Sequence, residues 1–168
     1  LRKGTRLTPL MFGGHQEQDR RPGTESVPLI AGMARALSLW NSDRERRAAH
    51  LVNLKAQLRN GLQTLGQVTF IGTDAPALPN TLTVAFHGLD GEALLVALDL
   101  AGIACSLGST CASGSAEPAP ILIAMGLPEQ LQRSAVRFSL GHQQTETQIT
   151  EALHRIASVV EQQRKLIP

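Results

Sequence analysis

Tyrosine is absent from this chain, and tryptophan occurs once beside four phenylalanines. With aromatics at 3% and hydrophobic residues at 42%, a core must be aliphatic, built from Leu, Ile, Val and Ala. Long apolar runs are missing too: no stretch has the ~20 apolar residues of a membrane-spanning helix, and none has the pattern expected of a signal peptide. Charge of one sign is also lacking. Sixteen basic against 14 acidic residues leave a net charge of +2, which gives no case for nucleic acid or a membrane surface as partner. Cysteine is limited to two residues, with no CxxC pair and no nearby His, which argues against a zinc site. There are no internal repeats. At 168 residues the chain has the size of one domain and can bury a core.

Both cysteines lie in the stretch Ile103-Ala104-Cys105-Ser106-Leu107-Gly108-Ser109-Thr110-Cys111-Ala112-Ser113-Gly114-Ser115-Ala116-Glu117-Pro118. From Ser106 to Glu117 almost every residue is small and polar, or glycine, with Leu107 the one sizeable apolar side chain. Such a segment cannot bury itself, so it is expected to run over the surface as a mobile loop. A structural cysteine is ordinarily buried as a small hydrophobe, so a thiol in the middle of a Gly/Ser loop is unusual. Mobility would let Cys111 reach a substrate and present its cargo elsewhere. Two plainer readings stand beside this one: a small-loop disulfide between Cys105 and Cys111, and an exposed thiol without a role. Nothing near Cys111 in the sequence favours its thiolate, because Glu117 acts in the opposite direction. Activation must come from another segment, with His87 and His142, at predicted strand ends, as candidates. Two cysteines on a flexible loop suit a reducing, cytoplasmic setting.

Residues 1–25 are interrupted by Gly4, Pro9, Gly13, Gly14, Pro22 and Gly23, and only residues 7–12 could pair as a short strand. A helix should follow, with Thr24 and Ser26 as candidate N-caps and Gly23 allowing close approach of the backbone to a ligand. A helix start of this kind favours an anion, especially phosphate, although plain capping accounts for the same residues. Leu29, Met33, Leu37 and Trp40 recur at helical spacing, as do Leu51, Leu54, Leu58, Leu62 and Leu65, with Asn41-Ser42-Asp43 marking a kink or a fresh cap between them. Arg44, Glu45, Arg46 and Arg47 read as a solvated face, and His50 as surface. Residues 68–71 and 81–86 read as strands, the second alternating Leu82, Val84 and Phe86 with smaller residues. A helix opening at Leu89 or Asp90 should end at Gly102, and residues 103–105 form a short strand. Short helices are expected over 118–125 and from Pro128 to about Arg133, then a strand over 135–140 with Arg137 and Ser139 on its polar side. Thr145-x-x-Gln148 is a capping box opening a helix with the stripe Ile149, Leu153, Ile156 and Val160.

These residues carry a resemblance. The run Ala104-Cys105-Ser106-x-Gly108-Ser109-x-Cys111-x-Ser113-Gly114-Ser115-x-Glu117-Pro118 resembles the active-loop signature of cysteine desulfurases, pyridoxal-phosphate (PLP) enzymes that take sulfur from L-cysteine. The resemblance makes Cys111 the nucleophile. Gly13-Gly14-His15-Gln16-Glu17 followed by Arg21-Pro22-Gly23-Thr24 is similar to the family segment whose Thr reaches the PLP phosphate of the partner subunit. That role falls on Thr24, with Arg21 as the preceding basic position; His15 and Pro22 depart from the family pattern. Arg137-Phe138-Ser139-Leu140-Gly141 matches the strand whose Arg binds the substrate α-carboxylate, a job that the planar guanidinium fork suits.

The implied reaction has L-cysteine joined to PLP while Arg137 holds its carboxylate. Cys111 attacks the substrate sulfur, leaving alanine and a persulfide that the loop carries to an acceptor such as an iron–sulfur scaffold protein. No resident metal is implied, though Cys111 could ligate an iron–sulfur cluster transiently. Lys3, Lys55 and Lys165 do not match the family's Schiff-base motif. The chain is therefore expected to be the C-terminal part of a homodimeric enzyme, without covalently held PLP of its own. Residues 1–25 would belong to the large domain, and 26–168 would form the small domain with the Cys loop at 106–117. The fold implied is α/β, an α+β small domain of a PLP fold-type I transferase: a few-stranded, mostly antiparallel sheet with helices packed on one side. Alternatives are a stand-alone persulfide carrier or docking and dimerisation module, and a selenocysteine lyase-like enzyme.

Overall fold

The computed structural model describes residues 2, 4–107 and 119–166. Two compact units divide it, Leu1–Arg44 and Glu45–Pro168, so residues 26–44 fall by compactness in the first.

In the first unit, residues 7–12 are irregular rather than a strand. Pro9 removes a ladder donor there, and the unit has no described strand to pair with. The turn α1 (Gln16–Asp19) holds Glu17 and Gln18 at left-handed angles, φ 52 and 59, and is no true helix. Helix α2 (Val27–Ser42) has Pro28 in its first turn, where the missing N–H costs nothing. Ser26 occupies the N-cap position without a side-chain cap bond. The apolar spacing of α2 foretells the helix but not a core face: Leu29 and Met33 are 75% and 71% exposed, and no residue of α2 is buried. Val27, Ile30 and Leu39 are exposed as well, so the helix is apolar on several sides.

The second unit is built on an antiparallel sheet of order β1-β2-β3, from β1 (Val68–Ile71), β2 (Thr81–Phe86) and β3 (Ala135–Ser139). Alternation along β2 sends Leu82, Val84 and Phe86 to one face, joined there by Val136 and Phe138 of β3. Three long helices cover that face, as the sequence implies. Helix α3 (Arg44–Thr64) buries Leu54, Leu58 and Leu62, one residue per turn, while Leu51 and Leu65 flank them half-buried. Helix α4 (Gly91–Leu100) buries Leu94 and Leu98, and α7 (Glu146–Lys165) buries Ile149, Ile156, Val159 and Val160. Leu153 stays half-buried against the core.

The helix ends follow local chemistry. The Asp90 carboxylate accepts from the Ala93 N–H at 2.9 Å. At the other end of α4, Gly102 turns left-handed (φ 76), and the N–H groups of Gly102 and Ile103 return to the Asp99 and Leu98 carbonyls, both at 2.8 Å. That is a Schellman closure, which only a residue tolerant of positive φ makes cheaply. Thr145 and Gln148 exchange both bonds of a capping box.

The opposite sheet face differs. Ala85 and Ala135 present only methyl groups there, and Ala119 and Leu122 pack against them. Two short helices, α5 (Pro120–Ala124) and α6 (Glu129–Arg133), occupy that end in addition to the long helices behind the sheet. Other details depart from the sequence reading. Residues 103–105 form no strand; a single bridge at Ser106 replaces it. The helix expected over 118–125 is described from Pro120, and Pro128 sits at the N-cap of α6 rather than inside it. His50 is half-buried, with Nε2 at 2.8 Å from the Gln144 carbonyl oxygen, and Arg47 is half-buried as well.

Candidate active site

β3 carries the site. Val136 and Phe138 anchor the strand in the aliphatic core, so period-2 geometry turns Arg137 to the opposite face. Arg137 is half-buried there, with Thr83 directly across on β2. On its other side the strand meets Ser106. The Ser106 N–H donates to the Arg137 carbonyl at 3.0 Å, and the Arg137 N–H donates back to the Ser106 carbonyl at 2.6 Å. Cys105 and Leu107 both pack on the helix-side core. Ser106, lying between them, therefore faces the Arg137 side, as does any residue directly opposite another in an antiparallel pair.

The chain next enters residues 108–118. Cys111 lies outside the described residues, as does the loop expected to be mobile over 106–117 apart from its first two residues. The chain resumes at Ala119, which is buried in the cluster containing Ala135, two residues before Arg137. Both ends of the Cys111 segment are thus fastened beside the strand that carries Arg137. Cys105 is a free thiol. Burial pushes its pKa up to about 11, with Asp99 adding in the same direction.

Thr24 lies in the first unit, exposed, in irregular chain ahead of α2, and it caps no helix. Gly23 before it takes φ 100, a conformation suited to glycine. Arg21 holds its own turn, donating to the Gly23 carbonyl at 2.8 Å and pairing with Glu17. An exposed hydroxyl after a left-handed glycine fits the phosphate end of PLP. Of the lysines, Lys55 donates to the Leu78 carbonyl at 3.0 Å, and Lys165 pairs with Glu161. Lys3 lies outside the described residues.

His87 is exposed and bonded to the Thr69 hydroxyl at 2.7 Å, and His142 is exposed in the turn before α7. Among the described residues, no three His, Cys, Asp or Glu side chains could hold a metal ion, and no helix is long and apolar enough to cross a membrane. A cavity of about 420 Å³ opens between α7 and the end of β3, lined by Phe138, Leu140, Ile149, Gln148 and Arg155 among others. Phe138 turns to the helix face, away from Arg137. Sequence reasoning passed over Ser106. Its position between Cys105 and Leu107, both core-facing, is the period-2 signal that could have singled it out.

The family model for aminotransferase class V matches residues 5–152, and the chain belongs to that family. Within it, the chain is 38% identical over its whole length to a cysteine desulfurase of Gluconacetobacter diazotrophicus, and 39% identical over 98% of its length to one of Bradyrhizobium diazoefficiens. It spans about 42% of the length of each of these relatives. A solved NifS-like protein superposes with a TM-score of 0.81 at 33% identity, covering 96% of this chain and 41% of that one. The mixed fold with an antiparallel three-stranded sheet is therefore that of NifS-like proteins.

Proposed function

We propose that this chain is the C-terminal part of a cysteine desulfurase, acting on L-cysteine together with a PLP-bearing remainder in a cytoplasmic homodimer. The observation that carries the reading is the fastening of both ends of the Cys111 segment to the strand of Arg137. Five residues at ~3.6 Å each bound the reach of Cys111 from Ser106 at ~18 Å, enough to visit a ligand at Arg137 and to leave it.

In this reading Arg137 grips the substrate α-carboxylate through its guanidinium fork, which orients the thiol side of L-cysteine toward the loop. Thr24 of the partner subunit would hold the phosphate of PLP, and the cofactor, when bound, would supply the electron sink that makes the substrate C–S bond cleavable. The Cys111 thiolate forms an S–S bond to the substrate sulfur as the Cβ–S bond breaks. The released electron pair goes to the carbon side, where protonation yields L-alanine. Sulfur stays on Cys111 as a persulfide and passes to an acceptor such as an iron–sulfur scaffold protein.

The test is Cys111→Ser in the longer enzyme. Alanine formation and sulfur release should fall to background while the cofactor absorbance band keeps its position and intensity. Turnover that persists removes Cys111 from this role.

A further inference from the structure

Ser106 combines two properties that its sequence neighbours lack. It exchanges both backbone hydrogen bonds with Arg137, so their side chains leave the sheet on the same face, with Cα atoms ~5.5 Å apart. Its Oγ is also buried and meets no hydrogen-bonding partner among the described residues. A buried hydroxyl left unpaired lowers the stability of a fold, and most such groups in native proteins have a partner. The backbone explains why Ser106 pairs but not why it carries a hydroxyl. Alanine would serve the bridge equally well, as it does at Ala85 and Ala135 on the same face.

We infer that Ser106 is a second ligand-binding group beside Arg137, its hydroxyl donating a hydrogen bond to the carboxylate that the guanidinium pairs with. A carboxylate offers about four acceptor positions on two oxygens, and one guanidinium fork fills two of them. A neutral donor at the neighbouring cross-strand position meets one of those left over without adding charge. It also selects for ligands with a full carboxylate, because a ligand lacking it leaves both donors unmet. This inference rests on the reading of Arg137 as the carboxylate binder.

The experiment uses the PLP-loaded longer enzyme with Ser106→Ala, Ser106→Thr and Arg137→Lys. Binding is read by absorbance titration with L-alanine, which carries no sulfur to transfer, and with ethylamine, which lacks the carboxylate. Ser106→Ala should weaken L-alanine binding and raise KM for L-cysteine by about 10-fold, the scale of one hydrogen bond to a charged group, with kcat changed less. Ethylamine binding should not move, and Ser106→Thr should restore most of the loss. Removing an unpaired buried hydroxyl should at the same time raise Tm by about 2–4 °C, which separates lost binding from lost folding. If Arg137→Lys weakens L-alanine binding and Ser106→Ala does not, the role of Ser106 is overturned and that of Arg137 stands. If neither substitution affects L-alanine, the carboxylate site itself is elsewhere.

Discussion

Cys105 shows how a single residue's surroundings set its chemistry. Its side chain packs half-buried against the helix-side core, and the carboxylate of Asp99 adds to burial in opposing a thiolate, so its pKa rises to about 11 from an ordinary value of 9.0. A thiol held neutral is a poor nucleophile. Iodoacetamide at pH 8 should therefore leave Cys105 unmodified in the folded protein and alkylate it on addition of urea, as read by mass spectrometry of peptides; rapid labelling of the folded chain would contradict the burial argument. The sign for stability follows from linkage. Because the folded value lies above the unfolded one, the contribution of Cys105 is fully present below pH 9 and is lost as pH rises toward 11. Cys105→Ala should flatten that part of the stability profile.

At the scale of elements, close backbone approach holds the site strand in place. Gly91 opens α4 where a Cβ would lie 2.6 Å from the Arg133 carbonyl oxygen, in the residue pair that leads into β3. Backbone cannot swing aside as a side-chain tip can. Gly91→Ala should destabilise by about 1–3 kcal/mol in urea unfolding, the usual cost of overpacking. Gly32 of α2 is a fitting control, since nothing lies within 4 Å of its added Cβ and its φ is ordinary. Gly32→Ala should be neutral or stabilise by up to ~1 kcal/mol through helix propensity. Equal losses at the two positions would mean that the contact with Arg133 is not what requires glycine at 91.

For the molecule as a whole, α2 is the element out of balance. Sixteen residues, apolar on several sides and none of them buried, leave Leu29, Met33, Leu37 and Trp40 open to water. Patches of that kind ordinarily mark an interface. The chain spans about 42% of the length of its desulfurase relatives, and the remainder proposed above is the expected cover. Trp40, the sole tryptophan, reports on this. In the isolated chain its emission should be red-shifted and readily quenched by acrylamide, and light scattering should reveal association as concentration rises. In the longer enzyme the emission should shift to the blue and quenching should drop several-fold. Equal quenching in both would make α2 a surface helix after all.

The sequence by itself determined the elements and the chemistry on offer. Period-2 alternation marked β2 and β3, the Thr145–Gln148 box and Gly102 marked helix ends, and the small-residue run around Cys111 carried the family signature. These are properties of consecutive residues, so a linear reading reaches them. Tertiary structure decided which of them meet. That Ser106 pairs with Arg137, that Ala119 sits with Ala135, and that the apolar stripe of α3 is buried while that of α2 is bare all depend on chain segments distant in sequence. Hydrophobic spacing says that a face needs cover, but only the closing of long loops around a shared core fixes what supplies it.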